Sequence, residues 1–464
     1  MGQSASWTGD NGYGAHGLQY PRYRPLLEFF KRHPIFLLAF GPPIFRSHGI
    51  DATQGKIDFW SVLQVGWLSL IATRAIWRLL SAQLIFIPKQ VRSVLRLAFI
   101  LGLLYLASAS YSPSPAVSAA YAVFYFLTII CVLEFIVDAY RNPLNWVESL
   151  FQLRRITLFL LILVALTILF HTSDAYEVSP GAGVRTIGGS VASLSLISPI
   201  ISIVSAYSFL YRLEPRGRAL FLFSVGLGGE LISRSRFSQA ALFLCLLLAF
   251  LPWVWNASRR RAYARITGFM TFAALACAAV GIIGRERIWT IFNKGQSSKT
   301  IESLSGRTEI WAFVFKYCLA HPQGMGYVAG FRIVFRQYFS LNSGNSLSQL
   351  GTAHNTYVDV LAGAGWLALG IYLIMLAKIV KLAWRFGKKQ NRLSSGIDQS
   401  FPHGIGCSLL LLTFCLFYGM GATEFSAPLR GSFGILYTII AIILGALANA
   451  IAASRQYIPA SSST

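Results

Sequence analysis

Three positions in this 464-residue chain have the chemistry of a group-transfer site: Arg236, Arg307 and His354. Arg236 lies with Arg234 in LISRSRFSQ. Arg307 opens GRTEIW together with Glu309, and His354-Asn355 open AHNTYVDVLAGAGWLALG. A guanidinium is planar, permanently charged and suited to gripping a phosphate or diphosphate through two hydrogen bonds. A neutral imidazole, with an ordinary pKa of ~6.5, takes a proton from an alcohol. Arg185, in GVRTIGG, is a fourth cation of the same kind. No DxD, GxSxG or P-loop occurs, and His and carboxylates do not cluster at metal-ligand spacing. Neither metal nor cofactor is expected, so fixed cations must stabilise the leaving group.

Each residue has a plainer alternative. Arg236, at the mouth of a tight hairpin, could simply snorkel to the interface, and Glu230 is a candidate partner for one of the two hairpin arginines. Arg307 falls in the first turn of an amphipathic helix expected over Arg307–Ala320, with Ser305 as N-cap and HPQGMG as its end. A cation is disfavoured there, so an anionic partner is expected: Glu309 or a ligand phosphate. His354 is either a base or a residue that orders its loop by hydrogen bonding. Asn355, Tyr357 and Asp359 accompany it, and one of them could fix its tautomer.

These residues need a scaffold, and composition defines it. The chain is 55% hydrophobic and 12% charged, against about 25% charged for a soluble domain, and its mean hydropathy is +0.57. It reads as an all-α polytopic membrane protein. Apolar runs of spanning length fall near 57–77, 95–110, 115–138, 156–171, 188–211, 218–232, 238–255, 263–283, 355–380, 404–420 and 432–452. A twelfth run, 34–45, is interrupted by Pro42-Pro43 and could be a broken span or a re-entrant piece. The expected organisation is a cytoplasmic tail (1–33), transmembrane helices 1–9 (34–283), a long catalytic loop (284–353), helices 10–12 (354–452) and a second tail (453–464). No internal repeat is visible. The six cysteines read as small buried hydrophobes, and no removable signal peptide is expected at the N-terminus.

The net charge of +23 reflects membrane topology and anionic lipid, not nucleic acid, because no basic run is interleaved with aromatics in a soluble module. With 12 spans and both termini inside, 26 of the 40 Lys and Arg fall inside. Eight of the remaining 14 lie in the 284–352 loop, which is therefore placed outside the cytoplasm. A basic outer loop runs against the topology rule and calls for another reason. Arg185, Arg236, Arg307 and His354 all fall on that outer side.

The ordered set of an outer-hairpin SR, then GRTEIW, HPQGMGY and AHNTY with LAGAGWLALG, resembles the O-antigen ligase and Wzy-type polysaccharide polymerase superfamily. The motifs cover 185–370, and the span count extends the likeness to the whole chain. The resemblance implies a GT-C-like membrane fold with one long periplasmic loop containing short helices. It implies a metal-independent glycosyltransferase of the bacterial inner membrane. The donor would be an undecaprenyl-diphosphate-linked glycan, and the acceptor a glycan or lipid A-core. Arg236 and Arg307 would bind the diphosphate and His354 would be the base. Arg185, Arg234, Glu309, Asn355, Tyr357, Arg332 and Arg336 would be further substrate contacts. The doubled SRSR leaves Arg234 and Arg236 as alternatives, with register favouring Arg236. GRTEIW leans towards an exopolysaccharide polymerase, with O-antigen ligase as the alternative and a lipid-linked glycan flippase or transporter as the remoter one. Membrane lipids and a chain-length regulator protein complete the expected partners.

Overall fold

The computed structural model describes residues 25–39, 59–81, 87–142, 146–170, 176–179, 183–186, 193–233, 235–255, 307–342, 353–393, 400–422, 425, 426, 428 and 431–456. Among the described residues the chain is all-α apart from one small hairpin. Its helices are α1 (Leu26–Arg32), α2 (Phe59–Leu80), α3 (Lys89–Ala107), α4 (Pro115–Arg141), α5 (Trp146–Phe170), α6 (Leu194–Tyr211), α7 (Arg216–Ser233) and α8 (Arg236–Trp255). Then come α9 (Arg307–Ala320), α10 (Ala329–Asn342), α11 (Thr356–Leu393), α12 (Ser400–Tyr418) and α13 (Gly431–Gln456). Strands β1 (Tyr176–Ser179) and β2 (Gly183–Thr186) pair antiparallel, in a stretch expected to be loop, and β2 lies against α7.

Among the described residues six helices are long and apolar enough to cross a membrane, which makes this a multi-pass membrane protein. The expected runs 57–77, 218–232, 238–255 and 404–420 also fall on helices, namely α2, α7, α8 and α12. The expected run 263–283 lies outside the described residues. Of 34–45, only 34–39 is described. It is a turn at 34–35 leading into helical residues 36–39, largely buried, and it is bonded to Trp67 of α2 and Thr438 of α13.

α13 is the hub of the bundle: 83% of its apolar window is buried in protein, and it packs on α4, α11 and α12. Small residues bring other helices close. Gly226 and Gly229 of α7 sit directly on Ser198 and Ser202 of α6, the close backbone approach that drives association where lipid tails compete for apolar contacts.

Charges at one end of the bundle are paired. Arg154 grips Glu214 with both guanidinium nitrogens and also reaches Ser205 (3.2 Å). Arg78 bridges Glu134 and Asp138 (3.0 Å to the latter), and His33 Nδ1 is 3.3 Å from Asp138. Arg78 also donates to the Arg32 carbonyl (3.0 Å), which ties α1 to α2. Arg236, Arg307 and His354 gather elsewhere, around the turn after α12.

Candidate active site

Three helices begin at one place. Arg236 is the first residue of α8 and Arg307 the first of α9, while His354-Asn355 immediately precede α11. They meet around the turn Gly419–Ala422 that follows α12. The Thr356 N–H donates to Gly419 O (2.8 Å), and the Thr356 hydroxyl donates to Ala422 O (2.8 Å). Arg307 donates to Gly421 O (3.0 Å). Phe237 packs over Gly421, and the Arg307 guanidinium carbon lies 5.7 Å from that ring's centroid. Arg236 and Arg307 are both half-buried. The first three N–H groups of α11 are taken up by Gly419 O and Asn355 Oδ1, but the starts of α8 and α9 each bring roughly half a positive charge. Two such ends with two guanidiniums make a place suited to an anion.

His354 is half-buried and has φ +50°, in the left-handed region. A non-glycine residue held there costs roughly 1–3 kcal/mol. Its neighbours hold it there. The Ala353 N–H donates to Asp359 Oδ1 (3.1 Å) and the Ala353 carbonyl accepts from Trp311 Nε1 (2.8 Å). Asn355 Oδ1 caps α11, accepting from Tyr357 N–H (2.9 Å) and Val358 N–H (3.2 Å), a cap of about 1 kcal/mol. The Tyr357 hydroxyl donates to Leu416 O (2.8 Å). Asn355 and Tyr357, read as substrate contacts, thus have these structural bonds.

HPQGMGY and LAGAGW are two halves of one joint. α11 breaks at Gly365 (φ +79°). The carbonyls freed by the break are taken up: Met325 N–H donates to Ala362 O (2.7 Å) and Gly326 N–H to Gly363 O (3.0 Å). In return Trp366 N–H donates to Pro322 O (3.1 Å). Gly324 (φ +88°) and Gly326 (φ +106°) supply conformations that other residues rarely adopt. Tyr327 then stacks on Tyr105, with ring centroids 3.8 Å apart, and its hydroxyl donates to Ser426 O (2.9 Å). Burial pushes the Tyr327 phenol well above its ordinary pKa, so it stays a donor. Beside the joint a small core of Ile310, Val314, Cys318, Phe331, Phe335 and Leu361 fastens α9 and α10 to α11.

α9 runs over the expected Arg307–Ala320; Ser305 lies outside the described residues. Glu309 is exposed on α9, and Arg332 is half-buried on α10, one turn before Arg336. Arg185 is in β2 opposite Glu177, and Arg234 lies outside the described residues. Sequence reasoning missed Phe237, Trp311, Thr356, Gly421 and Ser426. Trp311 and Thr356 sat inside the quoted motifs, where a donor next to a helix start is a readable signal. Gly421 and Ser426 carried none, because their connection reads only as a short loop.

The family described as O-antigen ligase matches residues 219–373, from α7 into α11. This segment is similar to the O-antigen ligase family. The matched segment contains both arginine helix starts, the glycine joint and His354, and its likeness to that family marks a glycosyltransferase-type enzyme. No curated protein matches the chain.

Proposed function

We propose that this protein transfers or polymerises undecaprenyl-diphosphate-linked glycan units at the periplasmic face of the bacterial inner membrane. The observation that carries this reading is the convergence of Arg236, Arg307 and the His354 loop on the turn Gly419–Ala422. His354 takes the proton of an acceptor hydroxyl while that oxygen attacks the anomeric carbon of the donor. The bond between that carbon and the phosphate oxygen breaks, and the diphosphate leaves with the electron pair. Arg236 and Arg307 stabilise the charge it carries, with no metal in the step. General-base help of this kind is worth ~10²–10⁴-fold. Arg185, Arg234, Glu309, Arg332 and Arg336 remain candidate contacts for the sugars and phosphates.

A groove of about 460 Å³ between α11 and α12 supports a lipid-linked donor. It is lined by Leu373, Leu376, Val380, Trp384 and Leu416, with Tyr357 also on its wall. It offers an apolar path for a polyprenyl chain from the neighbourhood of His354. Polymerase action, with a glycan as acceptor, is the first reading. The description of the matched family favours O-antigen ligase, with lipid A-core as acceptor, as the second.

The test is a comparison of His354→Gln with His354→Ala in a reconstituted transfer assay. Glutamine keeps a hydrogen bond but cannot act as a base at neutral pH. Both variants should be inactive. Near wild-type transfer by His354→Gln would make the residue structural and move the search for a base to Glu309.

A further inference from the structure

We propose that Asp359 is a positioning residue that sets the reach of His354 through the backbone of Ala353. This rests on the base role given to His354 above. Asp359 sits one turn into α11, and its two carboxylate oxygens face different elements. Oδ1 accepts the Ala353 N–H (3.1 Å), immediately before His354. Oδ2 accepts the Ser426 hydroxyl (2.9 Å), from the segment after α12. Ser426 is in turn fixed from a third side, because its carbonyl accepts the Tyr327 hydroxyl (2.9 Å). One carboxylate therefore ties the His354 loop to the segment after α12 and, through Tyr327, to the glycine joint.

The tie matters because of the conformation it holds. His354 stands at φ +50°, which the chain would abandon without restraint on both flanks. Thr356 restrains the C-terminal flank through Gly419 and Ala422. The N-terminal flank is Ala353, fully buried, with its N–H on Asp359 and its carbonyl on Trp311. Releasing one flank lets φ relax and swings the imidazole away from the arginine helix starts. A displacement of about 1 Å at a reacting group can cost ~10²-fold.

Three variants test this, read as kcat and donor KM in the reconstituted assay. Asp359→Ala frees the Ala353 N–H. Its kcat should fall by about 10- to 100-fold, with donor KM and the pH profile unchanged. Asp359→Asn keeps an oxygen for Ala353 and places an amide against the rotatable Ser426 hydroxyl, so it should recover most of kcat. Trp311→Phe frees only the Ala353 carbonyl and should lower kcat alone, by several-fold. It decides the matter should Asp359→Ala not accumulate in the membrane. Wild-type kcat in Asp359→Ala, or in Trp311→Phe where only that variant can be read, overturns the proposal. So does an Asp359→Asn as inactive as Asp359→Ala with an altered pH profile, which would make the carboxylate chemical. Asp359→Ala active beside an inactive His354→Ala defeats the positioning role alone, whereas an active His354→Ala defeats the base itself.

Discussion

The ring of Phe237 occupies the space that a side chain on Gly421 would need. Phe237 follows the first residue of α8, and Gly421 offers its carbonyl to the first residue of α9. The contact thus keeps two helix starts, and with them Arg236 and Arg307, on opposite flanks of one turn. Gly421→Ala would drive a methyl group into the ring and spread the arginines apart. Transfer should fall by about 10- to 100-fold while the amount of protein in the membrane is maintained. Unchanged transfer in isolated membranes would mean that the spacing of the arginines is not critical.

Gly365→Ala and Gly370→Ala make a matched pair on α11. Alanine at 365 meets both φ +79° and the backbone of Pro322 and Gln323. The conformation alone costs roughly 1–3 kcal/mol, and the overlap adds to it. Gly370 has open space around it, so alanine there should be neutral or stabilising by up to about 1 kcal/mol. Thermal unfolding in detergent should show a lowered midpoint for the first and none for the second. Equal midpoints would mean that the joint contributes little to stability.

Arg307→Lys should transfer little better than Arg307→Ala, both down by ~10²-fold or more, because an ammonium cannot grip two phosphate oxygens at once. Arg236 should behave alike. Wild-type enzyme should keep its rate in excess chelator. Activity lost to EDTA and restored by Mg²⁺ or Mn²⁺ would show that a metal shares the work assigned to the arginines.

Sidedness can be read with one residue at each end. Lys316 of α9 is exposed, and Gly217 of α7 is exposed with open space at its Cβ. The five described native cysteines are buried, which keeps background labelling low. An impermeant maleimide should label Lys316→Cys in cells with a permeabilised outer membrane, and Gly217→Cys only after the inner membrane is opened. The reverse pattern would invert the orientation.

The helical scaffold and the bounds of α9 were legible because apolar runs of spanning length and helix punctuation are local signals, whereas α9 is not the amphipathic helix expected, since it exposes Phe315 and Leu319. The nearness of Arg307, Phe237 and Thr356 to the turn Gly419–Ala422 was not legible, because that turn lies more than fifty residues beyond the motifs that hold them. The hairpin around Arg185 was not legible, because GVRTIGG has no length of alternation to mark a strand. Nor was the role of HPQGMGY, which reads as a helix stop in sequence. Its second meaning, as the piece that refills the broken ladder of α11, depends on a partner some forty residues away. Asp359 read only as one of three neighbours that could fix the His354 tautomer. Its contact with Ala353 follows from a left-handed turn at His354, which no residue type there announces.

The joint between HPQGMGY and LAGAGW also sets an order of assembly. Residues 321–327 emerge from the ribosome about forty residues before the carbonyls of Ala362 and Gly363 that they will bond. At ~5–20 residues per second this segment waits for seconds with no surface to dock on. α9 and α10 close their small core only when α11 arrives, because Val358, Leu361 and Ala362 of that core belong to α11. The candidate site is therefore finished late in translation, after α1 to α8 are already made, and a nascent chain stopped before Ala362 would carry both arginine helix starts with no turn Gly419–Ala422 to hold them together.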